Sequence, residues 1–431
     1  MVNFIKKTVS IIMSVGLAVC ICGCGADEKG KNKNVTSDNQ SLNADIERGD
    51  VEGKDIDESF VSYTADFSID LFKNSVSSGV ESGENVLISP QSVLSALSMT
   101  ANGAGGDCLS EMETVLCGTH SIDEHNQYMY TYIEELKQSE NVEFNVANSV
   151  WIKDDEEAIQ VNEEFIQKCT DYYDAEIYMA EFDESTVEDI NSWVSEETEK
   201  MIPTLLNEIP AEAVMYLINA IAFEGEWATE YEDNQIIEDS EFTNFKGDSE
   251  NVNMLSSTEG VFVQDENSKG FIKPYKDGKY AFMAILPEEN ISVSEYIESM
   301  TGDSFINMYN NREYKDVIVK LPEFTYEYET ELSPYLSAMG MGNAFTESAD
   351  FSNMAVTANP LYISKVLHKT FIQVDRHGTK AAAVTSVEMV TESCAEYEEP
   401  EYVILDRPFI YSIIDTETGL PIFIGVLNTT M

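Results

Sequence analysis

Apolar residues along this chain keep two rhythms, one helical and one strand-like, separated by short polar breaks. Phe60, Tyr63, Phe67, Leu71 and Phe72 fall near one helical face, so the spacing predicts an amphipathic helix over 60–76. A short apolar run at 85–89 predicts a strand. Pro90 then opens a second helix, with Ser89 placed to cap it and the small residues Ser92, Ser95 and Ser98 along it. Residues 122–138 predict another helix, and 144–152 and 175–182 alternate as strands do. The run AVMYLINAIAFE, 213–224, is apolar almost throughout and suits a strand at the centre of a sheet. Strands are predicted again at 402–405, 408–415 and 420–427, separated by turns. Mixed helix and strand of this kind predicts an α+β fold.

One stretch stands apart, VDRHGTKAAAVTSVEMVTES at 374–393. Laid out as a strand from Thr379, one face carries Thr379, Ala381, Ala383, Thr385, Val387 and Met389, all small or apolar. The other carries Lys380, Ala382, Val384, Ser386, Glu388 and Val390, and with them both charges. The segment is patterned for half-burial in a sheet, yet an acidic, proline-bearing stretch, ESCAEYEEPE, follows it as a loop would. Gly378 is expected to supply the backbone freedom of a hinge. Two readings stand open: an ordinary buried strand, or a segment exposed first and buried later.

The blocks NVLISPQSVLSALSMTANGAGGDCLSEM (85–112), INSWVSEETEKMIPTLL (190–206), LINAIAFEGEW (217–227), VKLPEFTYEYETELSPYLSAMGM (319–341), LHKTFIQVDRHGTKAAAVT and RPFIYSIIDTETGLPIFIGVLN occur in this order. Together they closely resemble the serpins, over residues 60–431. The resemblance implies one large domain with three β-sheets, about eight or nine helices and an exposed reactive-centre loop at 377–400. It places Ser89 and Ser92 beneath the main sheet where strands part, with Asn219 and His368 beside them, and it matches Trp193 to a tryptophan near the upper opening of the sheet. It assigns the loop hinge to Gly378, Thr379, Ala381, Ala382 and Ala383. A catalytic role for His368 is weighed against a buried, hydrogen-bonded histidine, and the second fits better.

The function the resemblance implies is inhibition of a serine protease by a suicide substrate, with no catalytic residue and no cofactor. A count of seventeen residues from Arg376 puts the reactive bond at Glu392–Ser393. A count back from Pro408 and Phe409 puts it nearer Tyr397 and Glu398; the hinge count is preferred because insertion length sets the geometry. Glu392 points to a glutamyl-specific enzyme. A cut at Val390 or Met389 points to an elastase-like one, and a cysteine protease stays open as a target. Lys380 and Glu224 both depart from the family, which favours an acid at the first position and a base at the second. The alternative is a non-inhibitory serpin serving as a cell-surface binding module.

Charge sharpens the list of partners. With 79 acids against 25 bases, the formal net charge of −54 excludes nucleic acid as a partner and argues against direct contact with anionic lipid. The acidic 122–138 helix gives no expectation of heparin binding, and the protein is expected to be a monomer. At the N-terminus, Lys6 and Lys7 precede a short apolar run, and Ile21, Cys22 and Gly23 lead to Cys24 in a pattern resembling a bacterial lipobox. Residues 1–23 are expected to be a signal peptide and Cys24 the lipidated residue, placing the protein on the outer face of a cell membrane, with 24–59 a disordered tether. Cys108, Cys117, Cys169 and Cys394 lack zinc spacing; Cys108 and Cys117 are close enough in sequence to pair. No phosphate-binding glycine loop and no GxSxG elbow occurs.

Overall fold

The structure is a computed structural model that describes residues 40–77, 83–139, 142–154, 159–210, 213–379 and 399–431; the side chains of residues 40, 143–147, 219, 220 and 222 lie outside the description. The apolar run anticipated at 213–224 forms the long strand Met215–Glu226, at the middle of a seven-stranded main sheet. Across that sheet the order is Gln40–Ser41, Glu176–Ala180, Val142–Lys153, Met215–Glu226, Gly378–Thr379, Lys365–Val374 and Phe324–Glu331. A six-stranded sheet contains Phe409–Asp415 and Pro421–Leu427, buried at every position, as strands covered on both faces must be. A four-stranded sheet begins with Glu401–Ile404 at its edge. Nine α-helices occur among the described residues. The three expected sheets are joined by a two-stranded ladder, Ile159–Val161 with Ala355–Thr357, too short to announce itself by alternation.

The helix Pro90–Ala101 is buried on all sides, wedged between the long strand and Pro421–Leu427. Its serines are small enough for that site: Ser95 donates within the helix to Gln91 O at 2.9 Å, while Ser98 Oγ lies 2.7 Å from His125 Nε2. Ser89 does sit at the N-cap position, but its side chain makes no cap bond. Its hydroxyl donates instead to Ile422 O at 2.8 Å, tying the helix start to the six-stranded sheet.

Part of the stretch expected to be a disordered tether is bound to the domain. Residues 40–57 dock on the domain: Gln40 and Ser41 pair with Met179 and Tyr178, adding a strand to the outer edge of the main sheet. Asn43 then donates to Thr170 Oγ1 at 3.1 Å and to Ala175 O at 2.6 Å, and accepts from Ile177 N–H at 3.2 Å. Arg48 pairs with Glu134 at 3.1 Å, Lys54 with Glu124, and Leu42, Ile46 and Ile56 pack against the core. Both acids lie on the helix Ile122–Leu136, so its acidic face is partly neutralised from within the chain. The segment looked disordered because it is held mainly by polar side chains bonding to backbone, which leaves no apolar period to read. Replacing Asn43 with Ala is expected to lower the stability of the domain by about 1–3 kcal/mol, since three partners lose their bond at once; a shift in the urea midpoint measures it.

Cys108 and Cys117 are both buried free thiols, so the pairing open from their spacing does not form. Burial raises the Cys108 thiol to about 11, and both are thiols rather than thiolates at neutral pH.

Candidate functional site: a seam in the main sheet

The long strand is paired along one edge from Val142↔Gly225 to Ile152↔Met215. Its other edge is different. There it pairs in parallel with Lys365–Val374 over four residues only, from Lys365↔Tyr216 to His368↔Asn219. At the far end it pairs antiparallel with the hinge, Gly378↔Glu226 and Thr379↔Gly225, while Val374 pairs with Thr379 from the other side. Between these ends, residues 369–373 and 220–224 face one another across five levels with no ladder pairing among the described residues. The seam is closed at one end, started at the other and open in the middle.

The closed end is where Ser89 and His368 meet. His368 is buried, its Nε2 accepting from the Ser89 N–H at 3.0 Å, and it stands level with Asn219 in the ladder. The Asn219 side chain is among those not described. Ser92 is buried one turn on, its hydroxyl without a partner, as is His368 Nδ1. Burial holds His368 at about 4 and His125 at about 3, both below the ordinary 6.5. Each folded value lies below the unfolded one, so the unfolded chain takes up protons first as pH falls. Stability is therefore fully present above about pH 6.5 and is lost progressively as pH drops towards 4 and 3. Thermal midpoints are expected to fall across that window, and His368→Gln is expected to flatten part of the fall. His368 is thus a buried hydrogen-bond acceptor for the Ser89 amide, the second of the two roles weighed from the sequence.

At the started end, Gly378, Thr379, Tyr275 and Trp227 define the geometry. Gly378 is required, but not for backbone freedom as its hinge position suggested: its φ lies outside the left-handed region. A Cβ there would stand 2.1 Å from Gly225 O, so glycine is needed for close approach. Thr379 is buried, and its Oγ1 lies 2.6 Å from the Tyr275 hydroxyl. Tyr275 stacks on Trp227, ring centroids 4.8 Å apart, and the Trp227 indole donates to Asp375 O at 2.9 Å. Gly378 and Thr379 are therefore strand, and the residues expected in the loop beyond them, 380–398, lie outside the described residues.

Trp193 is not at this opening. It lies in a separate apolar cluster with Trp151, Tyr178 and Ile218, and its indole donates to Glu176 Oε2 at 2.9 Å. The tryptophan beside the hinge is Trp227, whose signal was present as the last residue of LINAIAFEGEW, eight positions beyond Asn219. Ala381, Ala382, Ala383, Glu392 and Ser393 fall outside the described residues, as do Cys24 and the signal segment.

A protein-family model described as "Serpin (serine protease inhibitor)" matches residues 62–429. The chain is 30% identical over 355 residues to intracellular coagulation inhibitor 2 of Tachypleus tridentatus, covering 80% of this chain and 85% of that protein. Among solved structures, it is similar to the thermophilic serpin Tengpin in the native state, with 45% identity, a TM-score of 0.85 and coverage of 91% and 99% of the two chains. The latent form of Tengpin superposes less well, at 44% identity and a TM-score of 0.77 over 88% of this chain and all of that one. With the family model spanning nearly the whole described domain, the chain belongs to the serpins, a family of protease inhibitors rather than enzymes.

Proposed function

We propose that this serpin inhibits a serine protease as a suicide substrate, using the seam as the receiving site for its own cleaved loop. The observation that carries this reading is the seam itself: a ladder paired at His368↔Asn219, started at Thr379, and unpaired across the levels between. The loop offers Glu392–Ser393 as the bond. The protease serine attacks the Glu392 carbonyl, the Ser393 amine departs with a proton, and an ester joins the protease to Glu392. Residues 380–391 then enter the seam as a strand antiparallel to both neighbours, with the uncharged face of Ala381, Ala383, Thr385, Val387 and Met389 turned to the core. At about 3.3 Å per residue, that carries the tethered protease some 40 Å along the sheet. The protease is pulled out of shape before water can cleave the ester.

The proposed target cuts after glutamate, with elastase-like enzymes next, and the proposed setting is the outer face of a cell membrane, through a lipid on Cys24. A panel of serine proteases incubated with the purified domain tests the reading. A complex that survives SDS, with Glu392 as its acyl residue by mass spectrometry, is the expected result. Clean cleavage without a complex, across the panel, would overturn it in favour of a non-inhibitory binding module.

A further inference from the structure

The turn joining Lys365–Val374 to the hinge is held from within and from outside. Within it, the Asp375 N–H donates to Gly378 O at 3.0 Å, and Asp375 Oδ1 accepts from the His377 and Gly378 amides at 2.8 and 3.3 Å. Outside it, the segment following the long strand makes five contacts, one of them the Trp227 indole bond to Asp375 O. Two are backbone bonds, Trp227 N–H to His377 O at 2.9 Å and Tyr231 N–H to Arg376 O at 3.0 Å. The other two join side chains: Arg376 Nη1 forms an ion pair with Asp233 Oδ1 at 2.6 Å, and His377 Nδ1 lies in hydrogen-bond contact with Glu230 Oε2 at 2.7 Å.

Register decides what this clamp does. Gly378 and Thr379 oppose Glu226 and Gly225 on one side, and Thr379 opposes Val374 on the other. A strand continued from Thr379 in the same register would meet residue 224 and residue 373 next, the first unpaired levels of the seam. The clamped residues thus occupy the places they would keep after entry. Bringing a free strand end to a seam costs closure entropy, whereas extending a ladder already begun adds bonds with each residue fixed. We infer that Glu230 and Asp233, acting through His377 and Arg376, are positioning residues that hold the hinge in the starting register, so that strand entry outpaces release of the protease. The inference rests on the insertion mechanism proposed above and adds to it which residues set its speed.

Two measurements test it. In the intact protein, the combined Arg376→Ala and His377→Ala variant is expected to lose protection of the Gly378 and Thr379 amides from hydrogen exchange by up to about tenfold, the scale of one exposed ion pair and one partly buried hydrogen bond to a carboxylate. After nicking within the loop, the same variant is expected to gain heat resistance about tenfold more slowly than the unaltered protein. His377→Asn, whose amide nitrogen stands where Nδ1 does, is expected to keep the original rate. The swapped pair Arg376→Asp with Asp233→Arg is expected to restore it, which a merely structural loss would not allow. Unchanged exchange at Gly378 and Thr379, or unchanged entry rates despite lost protection, would overturn the clamp while leaving insertion standing. Failure of insertion itself has another signature: the unaltered protein, with its amides protected, stays as heat-labile after nicking as before, and the clamp then has no step to start.

Discussion

A single cut at Glu392–Ser393 is expected to raise the thermal midpoint of this protein by about 10 °C or more, though it breaks a covalent bond and adds none. The size follows from the seam. A strand entering between Met215–Glu226 and Lys365–Val374 gives up four parallel pairs and gains bonds on both of its edges. At about 0.5–1.5 kcal/mol for each bond, the net gain is on the order of 10 kcal/mol. A domain of this length unfolds with an entropy of about 0.8 kcal/mol per kelvin, so that gain shifts the midpoint by roughly 13 °C. Differential scanning calorimetry on nicked and intact protein makes the measurement. A nicked protein melting at or below the intact one would remove the mechanism, because no energy would remain to deform a protease.

Gly378→Ala is expected to turn the inhibitor largely into a substrate. The added methyl would stand 2.1 Å from Gly225 O and 2.9 Å from Glu226 Cα, both backbone atoms that cannot rotate away. The hinge must therefore leave the sheet, taking Thr379 from the Tyr275 hydroxyl. A buried hydroxyl left without a partner costs about 1–3 kcal/mol. The moles of inhibitor consumed per mole of protease trapped are expected to rise about tenfold or more, with the fold otherwise intact by circular dichroism. A stoichiometry unchanged from the parent would show that the started end of the seam has no part in entry.

What could be read in advance, and what could not, divides by the kind of force involved. Helix Glu58–Ser77 and strand Met215–Glu226 lie within two residues of the spans expected at 60–76 and 213–224, because burial of a periodic apolar face fixes both. Close approach is invisible to periodicity. Gly378 looked like a residue chosen for freedom and is one chosen for the absence of a side chain. Hydroxyls are similarly opaque: Ser89 holds the cap position by sequence, yet its bond goes to Ile422, more than three hundred residues away. Trp193 and Trp227 are both buried aromatic anchors; only the sheet register shows which stands beside the hinge. The seam is a property of pairing between strands far apart in the chain. It had to be seen, while the alternation of Thr379 to Met389 announced only that a partner sheet exists.

The docked residues 40–57 also change the outer edge of the main sheet. Gln40 and Ser41 pair with Met179 and Tyr178, so that edge ends in a strand of only two residues. So short a strand offers a neighbouring chain few unpaired backbone groups, which guards the sheet against edge-to-edge association.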